Sequence, residues 1–152
     1  FLVGWITTGC GPRGGSVEAE HELVSAVFSD VWSKGNVELI PALFSESYVG
    51  HFPGGDIVRG REGLASAVMA HRRAFPDWTE EVQRVIIDHE WLAIRFTSSG
   101  TNTGEFLGNP PTGNRVEISE VVIFRLEDGQ IAEQWVYPDM LSLQRQLSVR
   151  RE

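Results

Sequence analysis

The chain has 152 residues, 41% of them hydrophobic and 22% charged, which is the size and composition of one globular domain and excludes a disordered tail or a fibrous repeat. Thirteen basic residues stand against 21 acidic ones, a formal net charge of −8, so the overall field repels phosphate and argues against nucleic acid as the principal partner. A single cysteine excludes an internal disulfide framework and a multi-cysteine zinc site.

Residues 1–16 read as an extension or linker: they start apolar and run into Gly/Pro turn formers, and residues 1–15 hold no acidic side chain. The apolar run before Thr7-Thr8-Gly9-Cys10 is similar to the end of a bacterial lipoprotein signal, in which Cys10 would carry the lipid. The alternatives are an extra edge strand or a cloning remnant. No other stretch approaches the ~18 apolar residues of a membrane span. The expected location is therefore cytoplasmic, or lipid-anchored and exported through Cys10.

The main domain is expected over residues 17–152. Leu23, Val24, Val27, Phe28, Val31 and Trp32 recur at helical spacing, predicting an amphipathic helix over 17–33 that Lys34-Gly35-Asn36 ends. A short helix over 37–44 follows, distorted at Pro41. Tyr48 to Phe52 alternates as a short strand before the turn Pro53-Gly54-Gly55-Asp56, and a third helix is predicted over 61–75 with Leu64, Val68, His71 and Phe75 on its core face. From Trp78 the period becomes two. Strands 78–88 and 91–99 flank a turn at His89-Glu90, and strands 115–126 and 130–137 flank Glu127-Asp128-Gly129. Residues 100–114 between the hairpins are rich in Gly, Pro, Thr and Asn, and residues 140–149 read as a closing helix. Helices first and long strands afterwards predict an α+β fold: a cone-shaped, curved antiparallel sheet with the N-terminal helices enclosing a pocket, in the manner of a cystatin-like α+β barrel.

The informative residues are ionisable groups on faces that otherwise look buried, because such groups are costly unless paired or used. Glu120 alternates with Val116, Ile118, Val122 and Phe124, but the opposite face with Val121 and Ile123 is apolar too, so a solvated Glu120 is the equal alternative. Asp139 follows Pro138 at the end of the last strand, where it either lines a mouth or caps the final helix. His51 can exchange protons near neutral pH or serve the structure alone. His71 is packing or pocket wall, and Arg95 is a pocket cation or an outer-face residue. Trp32, Tyr48, Phe75 and Trp135 offer flat apolar surface. The chain holds no phosphate-binding glycine pattern, no HExxH and no nucleophile elbow. That leaves acid/base chemistry by carboxyls and histidine without cofactor or metal, or ligand binding alone.

Several segments together resemble the SnoaL-like polyketide cyclases of the nuclear-transport-factor-two-like superfamily. They are Val31-Trp32-Ser33-Lys34-Gly35-Asn36, Tyr48-Val49-Gly50-His51, Ala74-Phe75-Pro76-Asp77, the run from Gly100 to Gly108 with Pro110-Pro111-Thr112-Gly113, and the stretch from Phe124 to Trp135 followed by Asp139 and by Leu143 to Leu147. The resemblance implies an α+β cone with a deep pocket for a hydrophobic small molecule, assembled as a homodimer or homotetramer. It implies a cofactor-free intramolecular aldol ring closure, or an isomerisation, of a polyketide-like carbonyl compound. In that reading Asp139 is the general acid/base and His51 orients the substrate, while Glu120, Trp135, Trp32, Tyr48, Phe75, His71, Arg95 and Gln134 contact it. Asn102 and Gln134 stand where relatives commonly carry histidine. Two other readings remain open: a non-catalytic ligand-binding or interaction domain, and a hydrolase in which carboxylates activate water as in the limonene-epoxide-hydrolase relatives.

Overall fold

Ser16 opens the first helix, its Oγ accepting the Ala19 N–H (3.2 Å) and so satisfying one of the free donors of a helix start. The computed structural model describes residues 16–148, so the expectations for Cys10 and for Val149 lie outside the described residues. Helix α1 (Val17–Ser25) widens over Ala26–Trp32 into a π-helical turn, with the Ser33 N–H bonded to the Phe28 carbonyl five residues back (3.1 Å). The amphipathic stripe is thus one helical unit, as its spacing predicts, with a wider last part that buries Val27, Phe28 and Val31.

Pro41 lies in the first turn of α2 (Ile40–Leu43), where a missing N–H has no partner to lose, so it causes none of the distortion expected of it. The expected second helix is a single turn at Val37–Leu39 plus α2, and it stops early because Phe44 already belongs to β1 (Phe44–His51). Strand β2 (Ile57–Arg59), α3 (Gly60–Ala74), β3 (Thr79–Asp88), β4 (Trp91–Thr101), β5 (Arg115–Glu127), β6 (Gln130–Pro138) and α4 (Met140–Ser148) complete the chain. All but β2 match an expected element. The strands form one curved, unclosed sheet in the order β2-β1-β6-β5-β4-β3. Neighbours are antiparallel except β1 and β6, which run parallel. No hairpin joins that pair, so their direction is set by the long intervening chain and not by a turn.

One face of the sheet is dry. Leu92, Ile94 and Phe96 of β4, Val122 and Phe124 of β5 and Ile131 of β6 pack against Leu23, Val27, Phe28, Leu64 and Val68 of the helices. Each such side chain contributes on the order of 1.5–3 kcal/mol. A second cluster of Ala74, Phe75, Trp78, Val116, Ile118 and Leu143 lies toward α4. The register of β3 on β4 shifts between Val82 and Arg84, a bulge that keeps Glu80, Val82, Val85 and Ile87 on one side of the strand. Among the described residues no helix is long and apolar enough to cross a membrane.

Residues 102–114 fold back over the end of α3. Asn102 ties this loop, its Nδ2 donating to the Gly104 carbonyl (2.8 Å) and its Oδ1 accepting the Thr112 N–H (2.8 Å), while the Thr103 and Gly104 N–H groups reach the Ala74 carbonyl (3.0 and 3.1 Å). A Cβ on Gly104 would stand 2.2 Å from the Arg73 carbonyl oxygen, so backbone must move if any side chain is added. Gly104→Ala is therefore expected to cost about 1–3 kcal/mol, the usual range for overpacking, seen as a lower urea midpoint with an unchanged slope.

Candidate active site on the inner face of the sheet

Glu120 sits on the inner face of β5, 8% exposed, with Val121 next to it turned outward. Its register partners are Phe96 on β4 and Pro138 on β6. Burial pushes its carboxyl up to about 7, and Ser98 opposes part of that shift from nearby without reaching hydrogen-bonding geometry. A second carboxyl faces the same space from β3. Glu80 pairs in register with Ser98, its Oε1 accepts the Trp78 indole N–H (3.1 Å), and its backbone N–H donates to Ser33 Oγ (3.0 Å). Burial, with the Glu120 charge added, holds the Glu80 carboxyl well above the usual range.

Aromatic rings wall this space. His71 of α3 stands edge-on to Trp78 (centroids 4.5 Å apart), stacks near Phe75 (5.3 Å), and meets Phe106 (6.0 Å) and Trp32 (5.9 Å). Its imidazole is held neutral, its pKa lowered to about 4 by burial and then by the Arg72 charge. Trp32 continues to Phe52 (6.3 Å). Tyr48 and Gln134 close the set from β1 and β6. A Cβ on Gly50, the register partner of Gln134, would stand 2.2 Å from Tyr48 Oη and 2.7 Å from Phe52, so only glycine lets the phenol lie along the strand. Burial also raises the Tyr48 phenol. Tyr48 Oη, His71 Nε2, Ser98 Oγ and Gln134 Oε1 are buried without a hydrogen-bond partner. Buried polar atoms left unpaired each cost about 1–3 kcal/mol, and these four come from β1, α3, β4 and β6.

Five of the sequence-predicted residues, Glu120, Tyr48, His71, Phe75 and Gln134, thus face the inner space, with Trp32 at its edge. Four do not. His51 and Trp135 lie on the outer face, stacked with their rings nearly parallel (5.1 Å, 6°), and His51 Nε2 pairs with Glu133 Oε1 (2.9 Å), whose other oxygen meets Arg125 (3.3 Å). The His51 hydrogen bond, with Arg125 beside it, lowers the Glu133 carboxyl. Arg95 is an exposed outer-face residue, because it alternates with the buried Ile94 and Phe96. Asp139 caps α4: its Oδ1 accepts the Ser142 N–H (2.9 Å) and its carboxylate is exposed. Asn102 is engaged by its own loop. The groups that sequence reasoning missed are Glu80 and Ser98. Ser98 interrupts the apolar row Leu92, Ile94, Phe96 and was findable by the same test that singled out Glu120. Glu80 was hidden, because simple alternation without the bulge groups it with Arg84, Ile86 and Asp88.

A pocket of about 280 Å3 opens at the rim, lined by His51, Phe52, Pro53, Trp135, Val136, Tyr137, Pro138 and Met140. It lies where β1 ends and the edge of β6 continues alone. Pro138 is the register partner of Glu120 and Val136 that of Val122, while Glu120 itself is not among the lining residues. Among the described residues no group of three or more His, Cys, Asp or Glu side chains is placed to hold a metal ion.

A sequence model described as SnoaL-like polyketide cyclase matches residues 22–147. Aklanonic acid methyl ester cyclase DnrD of Streptomyces peucetius is 32% identical over 94 residues, 59% of this chain and 63% of that protein. The chain thus spans less than two thirds of that curated relative's length. TsrD from Streptomyces laurentii superposes with a TM-score of 0.80 at 25% identity, covering 88% of this chain and 98% of TsrD. A Jannaschia sp. CCS1 protein provisionally assigned as a SnoaL-like polyketide cyclase gives 0.82 at 23% identity over 93% of this chain and 100% of its own, a likeness of fold. With residues 22–147 matched, the chain belongs to the SnoaL-like polyketide cyclase family.

Proposed function

We propose that this protein is an acid/base enzyme that closes a ring by an intramolecular aldol step, or isomerises a double bond, in a hydrophobic polyketide-like carbonyl compound, with Glu120 moving the proton. The observation that carries this reading is the Glu120 carboxyl, buried on the inner face of β5 among apolar residues and pushed up to about 7 by that burial. Such a group is ionised often enough at neutral pH to act as a base and holds a proton well enough to return it. The relative DnrD, an aklanonic acid methyl ester cyclase, supports an aromatic polyketide ester as the substrate class. In the ring closure, the Glu120 carboxylate removes a proton from the carbon beside a carbonyl, and the resulting enolate carbon bonds to a second carbonyl of the same molecule. The new alkoxide then takes the proton back from Glu120. Tyr48 Oη and His71 Nε2 hold the substrate's carbonyl oxygens, Gln134 Oε1 accepts from a substrate hydroxyl, and Trp32, Phe75, Trp78 and Phe106 clamp its flat body.

Asp139 offers a second reading as proton carrier, because Pro138 and Met140 on either side of it line the rim pocket. Its present bond to Ser142 instead favours the structural cap, and a protein with only that cap at the mouth would bind its ligand without turning it over. A water-activating hydrolase is less well supported, since among the described residues no arginine pairs with Glu120 or Glu80. The outer face, where Trp91, Val121 and Tyr137 are exposed, is the surface we assign to a homodimer or homotetramer. Val121→Lys should then lower the mass read by light scattering, and a wild-type monomer would overturn that assignment.

Turnover of aromatic polyketide methyl esters tests the reading. Glu120→Gln is expected to lower kcat by about 100-fold or more with binding retained, and wild-type kcat/KM should rise with pH through about 7. Asn is as good a helix cap as Asp, so Asp139→Asn should leave both stability and turnover near wild type. Loss of turnover in Asp139→Asn alone would move the role to Asp139, and tight binding without wild-type turnover would replace catalysis by binding.

Stability supplies an independent check. The folded chain keeps a proton on Glu120 up to about pH 7, whereas the unfolded chain releases it at the ordinary carboxylate value. The wild type therefore loses stability as pH rises between those values. The stability advantage of Glu120→Gln over wild type should grow across that window and level off above it, measured from urea midpoints.

A further inference from the structure

Glu80 takes no part in the proton transfer assigned to Glu120, yet it is the more firmly held of the two carboxyls. Its backbone N–H is fixed by Ser33 Oγ and its Oε1 by the Trp78 indole. An indole N–H only donates, so Oε1 must accept. Among the described residues no hydrogen bond engages Oε2, and no salt bridge reaches either Glu80 or Glu120. The charged and titratable groups around Glu80 are Glu120 from β5 and His71 and Arg72 from α3. Arg72 donates to the Trp78 carbonyl (3.1 Å), and His71 is neutral. Ser33 and Trp32 are what the first helix adds, and Ser98 what β4 adds. The Trp78 donor favours the charged form, but burial and the second carboxyl across Ser98 outweigh it and no cation is paired with this group, so the low-energy form is the neutral acid, with its proton on Oε2, the oxygen that no donor engages.

We propose that Glu80 is a second catalytic residue, a neutral carboxylic acid whose Oε2–H donates a hydrogen bond to the enolate oxygen that forms when Glu120 removes the substrate's proton. The inference rests on the reading of Glu120 as the base. Glu80 keeps its proton throughout: the proton that moves leaves carbon for Glu120 and returns to the alkoxide oxygen, so no atom or electron is gained or lost at Glu80. A donor fixed in place before charge develops stabilises that charge without the reorganisation water would need. The matching ligand chemistry is a planar, apolar molecule carrying an oxyanion beside its ring.

Substituted 2-naphthols, whose anions mimic the enolate, test this apart from turnover. At neutral pH the wild type should bind the naphtholate form. Glu80→Leu should weaken that binding at least tenfold and lower kcat about 100-fold, whereas Glu80→Gln, whose amide also accepts from Trp78 and donates from its other atom, should retain most of both. The infrared band of a protonated carboxyl should be present in the wild type at neutral pH and diminished in Glu80→Gln, which serves if the leucine variant does not fold. Naphtholate binding that tightens strongly in Glu80→Gln would show an ionised, repelling Glu80 and overturn the proposal, as would wild-type failure to bind any naphtholate or an unchanged infrared band. If no ester is turned over but these results hold, the reading of Glu120 fails and the neutral Glu80 donor stands as a ligand-binding group. If turnover is normal in Glu80→Leu, the donor fails and Glu120 stands.

Discussion

Phe28 of the first helix meets Phe96 edge-on (centroids 4.7 Å apart) and Phe124 at 6.4 Å, and the character of the sheet changes at this contact. On one side of Phe96 along β4 the inner residues are Leu92 and Ile94, covered by helix. On the other side comes Ser98, with Glu80 and Glu120 on the flanking strands. The helical layer thus covers the part of the curved face that is wholly apolar. Beyond it the walls are rings from α3, from Trp78 and from the loop that Asn102 and Gly104 dock, and those rings surround polar atoms they do not satisfy.

Such an arrangement costs stability. Two enclosed carboxyls and four orphaned polar atoms oppose folding, and the core of helix against strand must offset them. The same burial that makes them costly sets their chemistry. It brings Glu120 near neutrality, holds the Glu80 carboxyl well above the usual range and keeps His71 uncharged. Salt bridges, by contrast, collect on the outside, where His51, Glu133 and Arg125 form a solvated network beside Trp135.

Membership in the SnoaL-like family fixes the architecture that holds these groups and leaves open which carboxyl moves a proton. Asp139 and Glu120 stand on two sides of the same strand end, since Pro138, the neighbour of Asp139, is the register partner of Glu120. One carboxylate is exposed and bonded to a helix start; the other is enclosed. Substitutions that preserve the cap therefore separate their roles.

Hydrophobic period and turn chemistry are enough to place the first helix, α3, the four long strands and α4, because each of those segments buries one face continuously and its residues repeat at 3.6 or 2. The same reading identified Glu120 as a polar residue in an apolar row. Strand β2 was missed because three residues carry no period. The parallel pairing of β1 with β6 was missed because no turn joins them. His51 and Trp135 line the rim pocket from the outer face and not the inner space, because their face depends on which side of β1 and β6 meets the helices, a fact of tertiary packing. Glu80 was invisible for a sharper reason: one extra residue near Gln83 shifts the register of β3 and turns every side chain after it to the other face. Amino-acid order by itself determined which elements form; only the folded sheet decided which of their faces are dry and which carboxyls those faces enclose, because enclosure depends on bulges, strand neighbours and the reach of the helices, none of which is local in the chain.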